Sequence, residues 1–270
     1  MRLFDSHTHL QEAEYDSDRH EVIERARAAG LAGMLVLGLD VASSESAIAL
    51  AATERGVFAA AGCHPHNAGE VEDAALDRLT ELADDPRVVA VGEIGLDFYR
   101  DLSPRDRQVA VFERQLDTAA EACKPVAVHC REANETLLPV VEAWSRRLGA
   151  RLGGGRPLGV MHYFSGDAEL GRRYVELGFL ISIHTSVTYP KSAWLAEVAR
   201  TLPLHALVVE TDSPYGAPQS KRGQRSEPAY VIEAVERIAA LRGEAVERVA
   251  GATTENALRL LGVGAAVAKA

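Results

Sequence analysis

Short apolar runs alternate along this chain with longer segments whose apolar positions recur at helical spacing. Eight of the short runs read as strands, at 3–6, 33–39, 57–62, 88–92, 125–128, 158–161, 180–183 and 207–209. Helical segments lie between and after them, at 18–29, 43–55, 73–83, 104–122, 135–148, 169–177, 192–202 and 228–241. Asp18, the pair Ser103-Pro104 and Asn134 are start signals, and Gly30, Gly56 and Gly178 sit where helices should stop. The tail, 244–261, reads as one or two further short helices, and "RLGGGR" at 151–156 as a flexible connection. Strands alternating with helices imply a parallel sheet. Eight such units predict an α/β fold of the (β/α)8 TIM-barrel type, one domain spanning 1–270.

In such a barrel the active site lies at the carboxyl ends of the strands, so the residue that ends each strand is the informative one. The first strand leads into "FDSHTHL" (4–10), where alternation would put Asp5, His7 and His9 on one side. The third ends in "GCHPH" with His64 and His66, the fourth in "GEIGLD" with Glu93, and the fifth in "VHCRE" with His129. The sixth ends in "MHYFSG" with His162 and the eighth in "ETDSPY" with Asp212. With His184 after strand seven, seven of the nine histidines fall at strand ends, leaving His20 and His205 outside the pattern. His184 itself reads as either a pocket lining or part of the site.

Four imidazoles (His7, His9, His129, His162) and two carboxylates (Glu93, Asp212) are too many ligands for one tetrahedral zinc. They suit two divalent cations, Mg2+, Mn2+ or Zn2+, sharing a bridging carboxylate and a water. Glu93 is the expected bridge, because its strand stands between the His7/His9 pair and His129/His162. The adjacent Gly92 and Gly95 are read as allowing a tight turn there.

Composition is ordinary for a globular protein, with 47% hydrophobic and 25% charged residues and no run approaching a membrane span. No signal segment is evident, so a cytoplasmic protein without membrane contact is expected. Cys63, Cys123 and Cys130 form no CxxC pair; they read as reduced thiols, with Cys63 and Cys130 as small core residues. The net charge of −10 argues against broad adhesion to duplex DNA, although bound cations can supply positive charge locally.

"FDSHTHL", "GCHPH", "GEIGLDFYR", "VHCRE", "HYFSG" and "ETDSPY" followed by "EPAYV" occur in this order over nearly the whole chain. Together they resemble the TatD family of metal-dependent deoxyribonucleases, in the amidohydrolase superfamily. The resemblance implies a 3′ to 5′ exonuclease on single-stranded DNA or RNA. It implies that His7, His9 and Glu93 hold one cation and Glu93, His129 and His162 the second, with Asp212 binding metal or acting as base. It further implies that His64 faces the scissile phosphate and that Arg131 and the loop after Asp212, including Tyr215, contact substrate. His66 joins these as a candidate contact. Tyr163 stands where many relatives have Cys, and should point away from the ligands. The loop "PQSKRGQRSEP" (218–228) keeps the family's basic character in Lys221, Arg222 and Arg225, so Arg225 is a candidate substrate contact. Phe98 and Tyr99 are candidates for stacking on a base.

Two rivals remain at this stage. One is a superfamily hydrolase of a lactone, cyclic amide or phosphotriester, many of which bridge their metals with a carbamylated lysine. Lys124, Lys191, Lys221 and Lys269 are the only lysines and none sits at the carboxyl end of a predicted strand, where Glu93 fills that role instead, which disfavours it. The other is a non-catalytic metal- or nucleic-acid-binding module, which would be expected to have lost a ligand or the base. A monomer is the expected state.

Overall fold

The computed structural model describes residues 1–148 and 155–264. Eight parallel strands pair in chain order: β1 (Leu3–Thr8), β2 (Leu31–Leu37), β3 (Val57–Ala61), β4 (Val88–Asp97), β5 (Val126–Arg131), β6 (Gly159–His162), β7 (Phe179–His184) and β8 (Leu207–Glu210). Around them run α1 (Arg19–Ala28), α2 (Val41–Thr53), α3 (Asp73–Ala83), α4 (Arg105–Glu121), α5 (Asn134–Leu148), α6 (Ala168–Glu176), α7 (Ala193–Thr201) and α8 (Val231–Arg242). The final helix, α9 (Val246–Leu261), is one continuous element rather than two. This is the expected (β/α)8 barrel. The expected flexible connection at 151–156 lies, for 151–154, outside the described residues.

Two apolar layers hold the barrel together. Outward-facing strand residues such as Met34, Val128, Ile181 and Val209 pack with Ile23, Phe112, Leu137 and Val235 of the helices. The inner layer is built from small and medium side chains, Leu35, Ala60, Ala90, Ala127, Val160 and Val208 among them, together with Phe4, on which Phe58 stacks. Ala257, Leu260 and Leu261 of α9 close this inner layer from the amino-terminal end. Asn256 pins the helix there, its Nδ2 donating to the carbonyls of Leu204 (2.9 Å) and Leu207 (2.8 Å).

β1 and β8 meet at a seam made mostly by the loop after β8. The N–H of Asp212 donates to the carbonyl of His7 (3.0 Å), and the N–H of His9 to that of Ser213 (2.7 Å). Asp5 belongs to this seam: its carboxylate accepts from Thr211 N–H (3.0 Å) and Oγ1–H (2.6 Å). The alternation rule put Asp5 beside His7 and His9. It is in none of the candidate ligand groups, because β1 shifts register against β2 between Asp5 and Thr8.

The largest departure from expectation is β4, which continues to Asp97 instead of ending at Gly92. Gly95 is required for close approach, not for a turn. Its φ is +142°, and a Cβ there would lie 1.9 Å from the carbonyl oxygen of His129. A register shift against β5 between Val91 and Ile94 accompanies the extension and aims Glu93 inward. Cys63 and Cys130 are buried as expected, and all three thiols are free. Among the described residues no helix is long and apolar enough to cross a membrane.

Candidate metal centre

At the carboxyl end of the barrel, Glu93 sits among five imidazoles and is 3% exposed. Its Oε2 faces His7 Nε2 (3.2 Å) and His9 Nε2 (3.5 Å). Its Oε1 faces His129 Nδ1 (2.9 Å), His64 Nε2 (3.4 Å) and His162 Nε2 (3.7 Å). Asp212 approaches from the seam, its Oδ1 3.5 Å from His9 Nε2, 3.8 Å from His162 Nε2 and 3.9 Å from His7 Nε2. Three groups of potential ligands result: His7, Glu93 and His162; His7, His9 and Asp212; and His64, Glu93 and His129.

The electrostatics of the group explain how it stays assembled. Burial pushes the Glu93 carboxyl up, but the imidazoles of His64, His7 and His162 and the hydrogen bond to His129 outweigh it and hold it well below its usual range. Burial likewise disfavours charge on His9 and His129, yet Asp212 and Glu93 raise the first to about 9, and Asp97 and Glu93 raise the second to about 9. Burial outweighs the Glu93 carboxylate that faces His64 and lowers that imidazole to about 4. Burial raises Asp212, but the hydrogen bond to His9 and the nearby imidazoles bring it below its usual range.

The donor chemistry fits divalent cations. His7 Nε2 and His9 Nε2 lie 3.2 Å apart, so two ring nitrogens share a space that one proton or one cation must fill. His9 Nδ1 lies 3.2 Å from the carbonyl oxygen of Leu37, which accepts its proton and leaves the Nε2 lone pair for the centre. His162 is oriented in the same sense, its Nδ1 3.0 Å from Glu210 Oε1. Imidazole and carboxylate ligands converge from β1, β4, β5, β6 and the loop after β8, as a shared site requires.

Two residues here were missed from sequence. Asp97, at the end of the extended β4, accepts from His66 Nε2 (2.9 Å) and His129 Nε2 (3.1 Å) and from the N–H groups of Tyr99 and Arg100. Glu210, fully buried, accepts from the N–H of Tyr163 (2.6 Å) and backs His162. Both were visible in principle. Glu93 and Asp97 are four apart on one strand, and Glu210 is two before Asp212, so the period of two applied to "GEIGLD" and "ETDSPY" points to them.

The remaining candidates divide. His64 joins the Glu93 group, and His66 stands beside it, bound to Asp97. Arg131 lies over the ring of Tyr99 at 3.9 Å, and Tyr99 is 54% exposed, so these two form a pair at the rim. Phe98 instead packs under Arg105. Tyr215 is exposed, with its ring 6.4 Å from that of His9. Arg225 is engaged elsewhere: its guanidinium donates to both carboxylate oxygens of Asp18 (2.8 and 2.6 Å) and covers Tyr15. The sequence read a basic loop here without seeing its acidic partner. His184 is buried and stacks on Tyr163. His20 pairs with Glu54, away from the centre. Lys124 donates to the carbonyls of Ala83 and Asp85, and no lysine joins the centre among the described residues.

Known proteins bear on this geometry. Residues 4–262 match the family model described as TatD related DNase. The "uncharacterized metal-dependent hydrolase YabD" of Bacillus subtilis (strain 168) is 37% identical over 258 residues, covering 96% of this chain and 98% of the relative. The "3′-5′ ssDNA/RNA exonuclease TatD" of Salmonella typhimurium is 35% identical over 266 residues, covering 97% and 99%. Among solved structures, the TatD homologue YJJV from Escherichia coli superposes with a TM-score of 0.89 at 29% identity, covering 97% of this chain and 98% of that one. With the family match spanning nearly the whole sequence and these relatives covered end to end, the chain is a member of the TatD family of metal-dependent hydrolases.

Proposed function

We propose that this protein is a nuclease that hydrolyses phosphodiester bonds of single-stranded DNA or RNA from the 3′ end, using two divalent cations (Mg2+, Mn2+ or Zn2+). The observation that carries this reading is the split of Glu93, with one carboxylate oxygen toward His7 and His9 and the other toward His129 and His162. A carboxylate so placed would serve two cations at once, with His7, His9 and Asp212 available to hold one and His129 and His162 the other. The exonuclease named above, at 35% identity, supplies the substrate class.

When bound, the cations lower the pKa of a water and offset the charge on the phosphate. The protein's own groups do the rest. Asp212, held ionised at the seam, takes the proton of the attacking water. His64 is neutral, and its Nδ1 accepts the N–H of His66 (3.2 Å), so its proton is on Nε2, aimed at the centre. There it donates to a phosphate oxygen as charge grows. Asp97 and Glu210 fix the rings of His129 and His162. Arg131 and Tyr99 meet the strand at the rim. His66 and Tyr215 flank the same entrance, and the protein works as a cytoplasmic monomer.

The test is a product ladder from end-labelled single and double strands in each metal. Mononucleotides should leave the 3′ end of single strands, and chelation should stop their release. Metal-replete protein that leaves every strand intact while opening a lactone would overturn the reading.

A further inference from the structure

On the β7–β8 side of the rim, next to the Glu93 centre, lies a cleft of about 880 Å3, room for one or two nucleotides. His184 lines it from the end of β7, its ring flat against Tyr163, 3.7 Å between centroids at 14°. His184 is 2% exposed, with the backbone of Phe164 as a polar neighbour and no side-chain hydrogen-bond partner among the described residues. Buried polar groups in folded proteins are nearly always paired, so an imidazole with no side-chain partner beside a cleft points to a ligand that completes it.

The walls specify what that ligand is. Trp194 and Tyr215 are 41% and 53% exposed, and both present aromatic surface to the cleft. Tyr215 also edges the ring of His9, so the cleft borders the centre. Lys191 and Arg222 line it and no Asp or Glu does, although the chain carries a net charge of −10. Neither cation is in a salt bridge among the described residues; Lys191 Nζ lies only over the Tyr189 ring, at 5.8 Å. Exposed aromatic faces beside free cations suit a base and its phosphate, and only an unpaired base has its faces available.

Resting on the nuclease reading above, we propose that this cleft is a nucleotide subsite for the unpaired residue adjoining the scissile bond, its base against Trp194 over His184 and its phosphate at Lys191 and Arg222. Binding there selects single strands, because a duplex keeps its bases stacked and out of reach.

Tryptophan fluorescence isolates the cleft. The chain has two tryptophans, and Trp144 is buried with its Nε1 donating to Leu116. Full-length protein in chelator, which cuts nothing, is titrated with an oligothymidylate, with the matching duplex as comparison. Quenching by the single strand, absent with the duplex and lost in Trp194→Phe, is the expected result. Lys191→Ala with Arg222→Ala should weaken binding about tenfold and flatten its salt dependence. In metal, Trp194→Ala should raise KM for the oligonucleotide about tenfold with kcat within about twofold. A wild-type protein that degrades the strand without any quenching overturns the subsite and leaves the nuclease reading standing. Quenching without degradation keeps the subsite and removes the nuclease reading. Quenching that persists unchanged in the Lys191 and Arg222 double variant also overturns the proposal.

Discussion

The two ends of this barrel solve opposite problems with the same eight strands. At the amino-terminal end, Ala257, Leu260 and Leu261 of α9 pack against Leu35, Ala60, Val160 and their neighbours, so the inner layer ends in an apolar plug. At the carboxyl end the strands deliver His7, Glu93, His129 and His162 into a space equally buried but polar. Burial lowers free energy at the first end and raises it at the second, where carboxylates and imidazoles are tolerated only because they face one another. The plugged end holds the polar end in place, and the polar end contributes chemistry.

That contrast can be broken at either end. The largest effect should come from Glu93→Ala, which removes the one group common to both proposed cation positions: hydrolysis of single strands should fall by on the order of 10³-fold or more. Wild-type mononucleotide release from this variant would refute the central place of Glu93. At the opposite end, Leu260→Ala should cost about 2–5 kcal/mol in denaturant unfolding while kcat per folded molecule stays unchanged. An equal loss of kcat would mean that the two ends are not independent.

A third substitution acts one layer behind the centre. Glu210→Gln removes the charge that backs His162 and should weaken divalent-cation binding about 10–100-fold by calorimetry, with the far-ultraviolet dichroism unchanged. The smallest effect is on pH dependence. Burial lowers His184 to about 4, partly countered by Glu210 and Asp212, against about 6.5 in the unfolded chain. A depressed pKa contributes stability that is complete above about 6.5 and is lost as pH falls toward 4. In chelated protein, His184→Phe should therefore flatten the acid-side decline in that window by about 1.4 kcal/mol per pH unit. An identical slope in the variant would show that His184 is not buried as a neutral ring.

The barrel was legible from sequence because its evidence is local: apolar runs and helical spacing recur eight times, with start signals at three of the helices. The ends of strands were legible too, since "HxH", "GEIGLD" and "ETDSPY" fall where chemistry belongs. What sequence could not show is which polar residues are already occupied. Arg225 looks free until Asp18, 207 positions earlier, is folded against it. Asp5 looks to share a face with His7 and His9 until Thr211 claims its carboxylate. The two glycines of "GEIGLD" read as a turn, because nothing in the string reveals that the His129 carbonyl lies where a Cβ at Gly95 would be. In each case the deciding partner is distant in the chain.

The seam between β1 and the loop after β8 has a consequence for synthesis. His7 and His9 are made well before the Asp212 that faces them, which is joined to β1 by bonds such as Asp212 N–H to the His7 carbonyl. A nascent chain released as far as β6 already carries His7, His9, Glu93, His129 and His162, but lacks Asp212. The polar group around Glu93 is therefore closed only once the eighth strand and its loop have been made.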